Sequence, residues 1–396
     1  MRTPASAAAV LATVALVTAA SSRAAGQPVS RVIELAAGQA AGAAAVIVDD
    51  VPLVHTAQFA TATGPLDRQV ADSVAQLRTA LESLGSGLDR IVRLHVCAAT
   101  DDIAAAALPL LEAALPHGNR PAITRVVGGL PLSGSLVALD AVATTTTAAP
   151  AIAGSAAGRI LPPGTRIFVS GQAKEADSLA EATRLTLAGL GDTLAFLGRT
   201  RADVVQYKAF VSPAAAADVV HREVKSFHGA EPAPPVVIVE WKSGPRQPIE
   251  IELVAWGGPA AAPAGPEYLT PPGMTASPIY CRVTRVAASP LIYIGGLSMA
   301  RDGDRADAKT AEREVRAVFD NLGKVLAASS SDLRHLVKAT YAVSTDATSA
   351  ALNAVRPSVY DPARPPAASK AMVPGSGRPD AGLVLDMIAV PTRDGR

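Results

Sequence analysis

The chain repeats one order of predicted elements three times, and this repetition constrains the fold more than any other feature of the sequence. Each copy begins with a short apolar strand and continues with a long helix whose apolar residues recur at i, i+3, i+4 and i+7. A β-branched strand, a shorter helix, a proline-rich break and a closing strand follow. The first strands close at Gln58, Gln172 and Leu297, which lie 114 and 125 positions apart. The repetition predicts three copies of one small domain built from helices and strands.

The bounds of these elements can be read from the periodicity. The long helices are predicted at about Gln69–Leu84, Ser178–Leu197 and Asp307–Ala328. The shorter helices are predicted at about Asp102–Ala114, Pro213–Phe227 and Ser349–Val359. Residues 144–158 and 257–273 are rich in Thr, Ala, Gly and Pro and suit exposed linkers better than packed elements. The predicted modules are therefore 28–146 (module 1), 155–257 (module 2) and 275–393 (module 3).

The first 24 residues have the pattern of a secretory signal peptide. Arg2 precedes the apolar run Ala7–Ala20, and small residues suited to cleavage after Ala20 or Ala24 follow. An uncleaved anchor is the alternative, but the run is short beside the roughly 20 residues that a spanning helix needs. The sequence predicts cleavage at 1–24 and a periplasmic or secreted protein with no membrane segment after cleavage.

Charge and composition argue against several function classes. The 36 Lys and Arg residues balance 35 Asp and Glu, and aromatic residues make up 4% of the chain, so neither a basic face nor a stacking platform for nucleic acid is expected. The six histidines lack ligand spacing, and phosphate-binding and dinucleotide-binding motifs are missing, so no metal and no cofactor is predicted. Cys97 and Cys281 fit small apolar residues in strands, although a disulfide between them stays open.

Four short motifs are Val169–Gln172, Asp203–Val205 and Ile249–Glu252 in module 2 and Asp320–Leu322 in the long helix of module 3. Their order and spacing along a module resemble those of the YjgF/RidA family, also called endoribonuclease L-PSP-like. The resemblance covers about residues 30–392. It implies a chorismate-mutase-like α+β fold and homotrimers with small-ligand pockets at the subunit interfaces. Three fused copies are therefore expected to form a single-chain pseudo-trimer from a monomeric chain.

The resemblance also implies a chemistry that this chain has partly lost. Deaminases of the family hydrolyse 2-imino acids, using an arginine for the substrate carboxylate and a glutamate for the water. The expected arginine positions hold Ile123, Pro234 or Pro235, and Ala368. The expected glutamate positions hold Ala138, Glu250 and Val384. The arginine is thus missing from all three copies, and one copy keeps the glutamate.

Other residues could supply the missing groups. Arg125 and Lys370 lie two residues beyond the lost arginine, on the same face of a strand, so each could direct a cation into a pocket; solvated strand residues would look the same. Val236 or Val237 is expected at that place in module 2. Further ligand-binding candidates are Thr56, Ser170 and Gly295 at the family's hydroxyl position and Tyr280 at its tyrosine position. The recurring acids Asp140, Glu252 and Asp386 suit either a shared pocket acid or a structural role where modules meet.

Two functions follow as hypotheses. The first is a binding protein that holds a small anionic metabolite in clefts between modules, with the deaminase site degenerate. The alternative is a 2-imino acid deaminase with a rebuilt active site in module 2, where Glu250 and Ser170 would be catalytic. A nuclease, suggested by the older family label, is disfavoured by the neutral charge. A scaffold without a ligand would leave the same sequence pattern.

Overall fold

The computed structural model describes residues 28–32, 42–244, 246–260, 264–299 and 308–392. The predicted signal peptide, residues 1–24, lies outside these residues, and export stays a prediction. The described chain forms six helices: α1 Leu66–Glu82, α2 Asp101–Ala114, α3 Leu179–Phe196, α4 Ala217–His228, α5 Ala308–Ala328 and α6 Asp346–Val359. Its strands are β1 Val29–Val32, β2 Ala45–Val48, β3 Leu53–Thr56, β4 Phe59–Ala60, β5 Ile91–Ala98, β6 Ala122–Val127, β7 Val137–Thr144, β8 Ala153–Ser155, β9 Gly158–Leu161, β10 Thr165–Gln172, β11 Val204–Val211, β12 Val236–Glu240, β13 Ile249–Trp256, β14 Glu267–Leu269, β15 Val283–Ala287, β16 Leu291–Leu297, β17 Leu336–Val343, β18 Ala367–Met372 and β19 Leu383–Ala389. The predicted α+β class is confirmed.

Local sequence fixes where several helices begin. The side chains of Thr100, Ser178 and Thr345 each accept a hydrogen bond from the backbone N–H three residues on, which satisfies one of the free donors of the first helical turn. Within α3, residues such as Ala182, Thr186 and Leu190 recur every four positions and are buried. The long helices therefore press one apolar stripe against a sheet.

The strands form three mixed sheets in the described chain. Their orders are β6-β5-β7-β3-β9-β8, β12-β11-β13-β10-β15-β14 and β1-β2-β16-β19-β17-β18, and β4 pairs with β7 beside the first path. In each sheet one central strand pairs parallel to an outer strand (β5 with β6, β11 with β12, β17 with β18) and antiparallel to the closing strand.

The hairpin at the start of each module pairs with the sheet of another module. Strands β8 and β9 extend the sheet of module 1 through β3, and β14 and β15 extend the sheet of module 2 through β10. Strands β1 and β2, at the start of the chain, extend the sheet of module 3 through β16. Segments 144–158 and 257–273, expected to be linkers, contain β8 and β14, so that prediction was wrong in part. Small residues can form edge strands because the ladder needs only backbone groups.

Apolar residues are buried in two kinds of core. Three separate cores lie between one sheet and its two helices, around Leu94, Tyr207 and Tyr341 respectively. Two further clusters draw residues from all three modules, one including Val92, Val205 and Val337 and the other Cys97, Phe210 and Ala342. Each sheet therefore packs against helices on one face and against the other modules on the opposite face.

Candidate functional site

Strand register identifies which residues occupy equivalent positions in the three modules. In each sheet the second acid of the closing strand lies directly opposite a central-strand residue: Asp140 opposite His95, Glu252 opposite Lys208, and Asp386 opposite Thr340. The parallel partner strands then place Ile123, Val236 and Ala368 at one position, opposite Leu94, Tyr207 and Ala339. Two residues further along the same strands, Arg125, Ile238 and Lys370 occupy a second set of equivalent positions. The sequence alignment of module 2 was therefore wrong: Val236 replaces the family's arginine, and Ile238 is the equivalent of Lys370. Prolines at 232, 234 and 235 mark the break but cannot fix the register of the strand after it.

Register also corrects the first strand of module 1. His55, Phe168 and Tyr293 are equivalent, because they lie opposite Val142, Val254 and Ile388. Ser170 therefore corresponds to Ala57 and Gly295, and Thr56 is displaced by one position. The Thr56 hydroxyl is buried, donates to the carbonyl of Ala57 at 2.9 Å and accepts from the N–H of Ala141 at 2.9 Å. Its hydrogen bonds hold the strand, and it offers no group to a pocket.

Ser170 joins module 2 to module 3. Its buried hydroxyl donates to the carbonyl of Cys281 at 2.6 Å and accepts from the N–H of Ala368 at 2.7 Å. Its own N–H donates to the carbonyl of Arg282 at 2.9 Å. We call the contact of β10 and β13 with β18 and residues 280–282 the 2–3 seam. Because the hydroxyl is used in both directions, the geometry gives Ser170 a structural role at this seam.

Glu250 lies at the 2–3 seam above Gly171. A β-carbon at Gly171 would collide with the Glu250 carboxylate, so glycine makes room for it. The hydroxyl of Ser369, from module 3, hydrogen bonds with the carboxylate of Glu250 and accepts from the N–H of Gly171 at 3.0 Å. Burial, and secondly the charge of Glu252, raise the pKa of Glu250 to about 7, while Lys338, Ser369 and Arg282 act in the opposite direction. Glu250 can therefore exchange a proton near neutral pH.

Two cations and a tyrosine lie at the same seam. The Lys370 ammonium donates to the hydroxyl of Ser349 at 3.1 Å and the amide oxygen of Asn353 at 3.2 Å, and its pKa is lowered by burial first and by Arg356 second. The charge of Glu250 acts on Lys370 in the opposite sense, which places the two groups in electrostatic range. The Arg282 guanidinium lies 5.0 Å from the centre of the Tyr280 ring. Glu250 thus interacts through its charge with both Lys370 and Arg282 at this seam.

Sequence reasoning missed Arg282 and Ser369. Arg282 lies two residues after Tyr280, a spacing that puts both on one side of an extended segment, and this signal was available. Ser369 had no comparable signal. Its importance comes from contact across the seam with Gly171 and Glu250, which are distant in sequence.

The contact between modules 1 and 2, which we call the 1–2 seam, is occupied by the side chain of Gln58 and by apolar residues. The side-chain amide of Gln58 donates to the carbonyl of Ile238 at 3.1 Å and accepts from its N–H at 3.4 Å. Register and hydrogen bonding place Ala138, Val237, Ile238 and Ala157 where the 2–3 seam has Glu250, Ser369, Lys370 and Arg282. This seam has lost the charged groups.

The contact between modules 3 and 1, the 3–1 seam, is closed by backbone packing. A β-carbon at Gly296 would lie 3.0 Å from the Cα of Thr124, and one at Gly295 would lie 2.9 Å from the carbonyl oxygen of Ala43. Gly295 therefore serves close packing. Arg125 belongs to this seam and is 9% exposed. A β-carbon at Gly377 would lie 2.6 Å from the Cβ of Arg125, so the chain near Gly377 covers Arg125.

Buried charges occupy the centre, where the three sheets face one another. We call the following residues the axial ring: Arg93, Asp140, Lys208, Glu252, Lys338 and Asp386. Arg93 pairs with Asp386, Lys338 lies 2.5 Å from Glu252, and Lys208 lies 3.9 Å from Glu252 and 3.7 Å from Asp386. Asp140 pairs with His95 at 3.0 Å. The ring is neutral overall. Glu252 and Asp386 pair with cations of another module, whereas Asp140 pairs within module 1.

The cysteines and possible metal ligands give no further site. Cys97 and Cys281 are free and buried, and burial raises their pKa values to about 12 and about 11, which disfavours reactive thiolates. Across the described ranges no cluster of three or more His, Cys, Asp or Glu side chains is arranged to hold a metal ion. Among those same residues no helix has the length and apolar character to cross a membrane.

Comparisons with known proteins agree with the resemblance seen in the motifs. No family model and no curated protein sequence matches the chain. Among solved structures, a Mycobacterium tuberculosis member of the YjgF/YER057c/UK114 family is 27% identical over 23% of this chain and 78% of its own, with a TM-score of 0.22. YyfB of the Rid family from Yersinia pestis is 29% identical over 23% of this chain and 77% of its own, with a TM-score of 0.20. A YjgF family protein from Neisseria meningitidis is 20% identical over 32% of this chain and 95% of its own, with a TM-score of 0.23. The chain is thus similar to structures of the YjgF/Rid family, each over a stretch of at most a third of its length.

Proposed function

We propose that this relative of the YjgF/Rid family is a single-chain pseudo-trimer that binds a small anionic metabolite at one place, the 2–3 seam. The exchange of hairpins supports the pseudo-trimer, because β9 joins module 1, β15 joins module 2 and β2 joins module 3. This order closes a ring, since the start of the chain completes the sheet of the last module. A closed exchange of this kind matches the cyclic symmetry of a trimer.

The three seams differ in the residues at four equivalent positions. Four positions that hold Glu250, Arg282, Ser369 and Lys370 at the 2–3 seam hold only apolar residues at the 1–2 seam. At the 3–1 seam, Val384 lies at the position of Glu250 and Ala44 at the position of Arg282. Arg125, at the position of Lys370, is covered by the chain near Gly377. Copies that share a fold but differ at these positions indicate that one interface has kept a ligand-binding chemistry.

The groups at the 2–3 seam suit a carboxylate. Lys370 and Arg282 supply positive charge, and charge-assisted hydrogen bonds to a carboxylate contribute roughly 1.5–3 kcal/mol each. Glu250, with its pKa raised to about 7, is largely neutral below that pH and then does not repel an anion. Binding of a small carboxylate is therefore expected to be tighter at pH 6 than at pH 8.

Replacing the seam cations is expected to weaken binding of a small 2-oxo acid. Lys370→Ala and Arg282→Ala should each lower the affinity for 2-oxobutanoate by about 10-fold or more, because each removes a charge-assisted hydrogen bond. Isothermal titration calorimetry at pH 6 measures this. Arg125→Ala, at the position equivalent to Lys370 in the 3–1 seam, is the matched control and should bind as the unmodified protein does. Equal losses in all three variants would count against a site confined to the 2–3 seam.

Glu250 supports a second candidate function, hydrolysis of a 2-imino acid. A carboxylate with a pKa near neutrality can take a proton from water as the water oxygen bonds to the imine carbon. The proton then passes to nitrogen to give a carbinolamine. The carboxylate next moves the proton of the new hydroxyl to the amine, the C–N bond breaks as the C=O bond forms, and a 2-oxo acid and ammonia leave. Lys370 or Arg282 would hold the substrate carboxylate.

The Glu250→Gln variant tests this candidate. Ammonia release from 2-iminopropanoate, generated in place by an amino-acid oxidase, should exceed the buffer rate and rise with pH to a plateau above about 7, where Glu250 is ionised. The variant should lose about 10²-fold or more of the acceleration. The exposed Glu181→Gln on α3 is the control. No acceleration by the unmodified protein would leave the binding function alone.

A further inference from the structure

Two cations of module 3 lie beside the 2–3 seam without a carboxylate partner in the described part of the chain. Lys370 contacts the neutral side chains of Ser349 and Asn353. Arg356 donates to the amide oxygen of Asn353 at 2.7 Å, so both cations share one acceptor. Its guanidinium also lies 5.1 Å from the centre of the Tyr341 ring. The hydrogen-bond partners of both cations are uncharged, and Glu250, whose charge acts on Lys370, forms no ion pair with either cation in the described part of the chain.

Arg356 is buried, whereas most arginine side chains on protein surfaces keep their guanidinium groups in water. It is 6% exposed, and its Nε finds no hydrogen-bond partner among the described residues. Buried charges are normally paired, because removing a guanidinium from water is costly. An arginine held here by an amide and a tyrosine therefore lacks an anion.

The equivalent residue of module 1 shows that the fold does not need a cation at this place. Thr100 and Thr345 cap α2 and α6 in the same way, and eleven residues beyond them lie Leu111 and Arg356. Leu111 is fully buried in the core of module 1. Module 3 thus has a charge where the same helix position elsewhere holds an aliphatic side chain.

We infer that Arg356 binds a second acidic group of the ligand beside the carboxylate held by Lys370, so that the 2–3 seam selects dicarboxylates over monocarboxylates. This inference rests on the proposed function, since it assigns the substrate class of that seam. Arg282, beside Tyr280 on the same side of the seam, joins Lys370 in holding the first carboxylate. The planar guanidinium of Arg356 can hold a carboxylate through two N–H groups, while Lys370 adds a point charge.

Calorimetric titration with two related ligands tests the selection. At pH 6 the unmodified protein should bind 2-oxoglutarate at least 10-fold more tightly than 2-oxobutanoate. Arg356→Leu, which introduces the residue found at the equivalent position of module 1, should reduce this ratio at least 10-fold. Arg356→Lys keeps the charge without the paired N–H groups and should give an intermediate ratio. The exposed Arg316→Ala on α5 should keep the original ratio.

Each result has a distinct meaning. If the unmodified protein binds neither ligand, the proposed function fails and this inference fails with it. If it binds both equally, or if Arg356→Leu keeps the full preference for 2-oxoglutarate, the assignment of Arg356 is overturned while the proposed function stands. Thermal denaturation checks that the Arg356→Leu variant is folded. Its melting temperature should not fall below that of the unmodified protein, because leucine replaces a buried unpaired charge.

Discussion

A chain that begins at Pro52 is expected to lose about 5 kcal/mol or more of its free energy of unfolding. The deletion removes β2, which pairs with β16 and buries Val46 and Val48, and each buried valine contributes about 1.5–3 kcal/mol. It also removes Asp50, the ion-pair partner of the fully buried Arg166. Loss of one partner from a buried pair costs roughly 3–5 kcal/mol. The effect should appear in module 3, which lies at the opposite end of the sequence.

Urea denaturation, followed by fluorescence and circular dichroism, measures this loss. A chain that begins at Gly42 is the control: it lacks β1, an edge strand, keeps β2 and Asp50, and should lose much less. A synthetic peptide of residues 28–51 should restore stability in a concentration-dependent way, since it refills the edge of β16. Equal stability of both truncated chains would show that β2 does not complete the sheet of module 3.

The Asp386→Asn variant is expected to lose about 3–5 kcal/mol, because it leaves Arg93 and Lys208 without a carboxylate that both contact. Burial alone would raise the pKa of Asp386, but Arg93 and Lys208 hold it below its usual value. A depressed folded pKa contributes stability that is present above the unfolded value near 4 and is lost as pH falls through the folded value. The variant should therefore also show a flatter loss of stability with acid.

Chemical denaturation at pH 7 and at pH 3 measures both effects. Glu267→Gln breaks the exposed pair with Arg285, whose side chains are 48% and 40% exposed, and should cost at most about 1 kcal/mol. The double variant Arg93→Met with Asp386→Leu removes both charges and should recover much of the loss. A loss for Asp386→Asn no larger than that for Glu267→Gln would mean that the axial ring does not hold the modules together.

The periodicity of apolar residues was enough to locate the helices and most strands, but it could not show which strands pair with one another. The predicted long helices agree with α1, α3 and α5 to within three residues at each end. These elements have strong patterns because each buries one stripe or both faces. The hairpin strands β8 and β14 were missed, because short edge strands of small residues carry no apolar alternation.

The candidate site was predicted in part. Glu250 and Lys370 interact at one seam, whereas Arg125 and Gly295 belong to another. The difference between Lys370 and Arg125 cannot be read from their strands, which are alike. It depends on the chain that covers Arg125 near Gly377 and on the helix side chains around Lys370.

The sequence by itself determined the triple repeat, the α+β class, the family resemblance and the loss of the family's arginine from every copy. These follow from local patterns, since a strand or helix records its own burial in its own residues. The tertiary structure alone decided which hairpin completes which sheet, which residues share a seam and where the charges of the axial ring find partners. Those relations depend on register and on contacts between residues more than 100 positions apart, and one shifted residue in a strand turns its side chains to the opposite face.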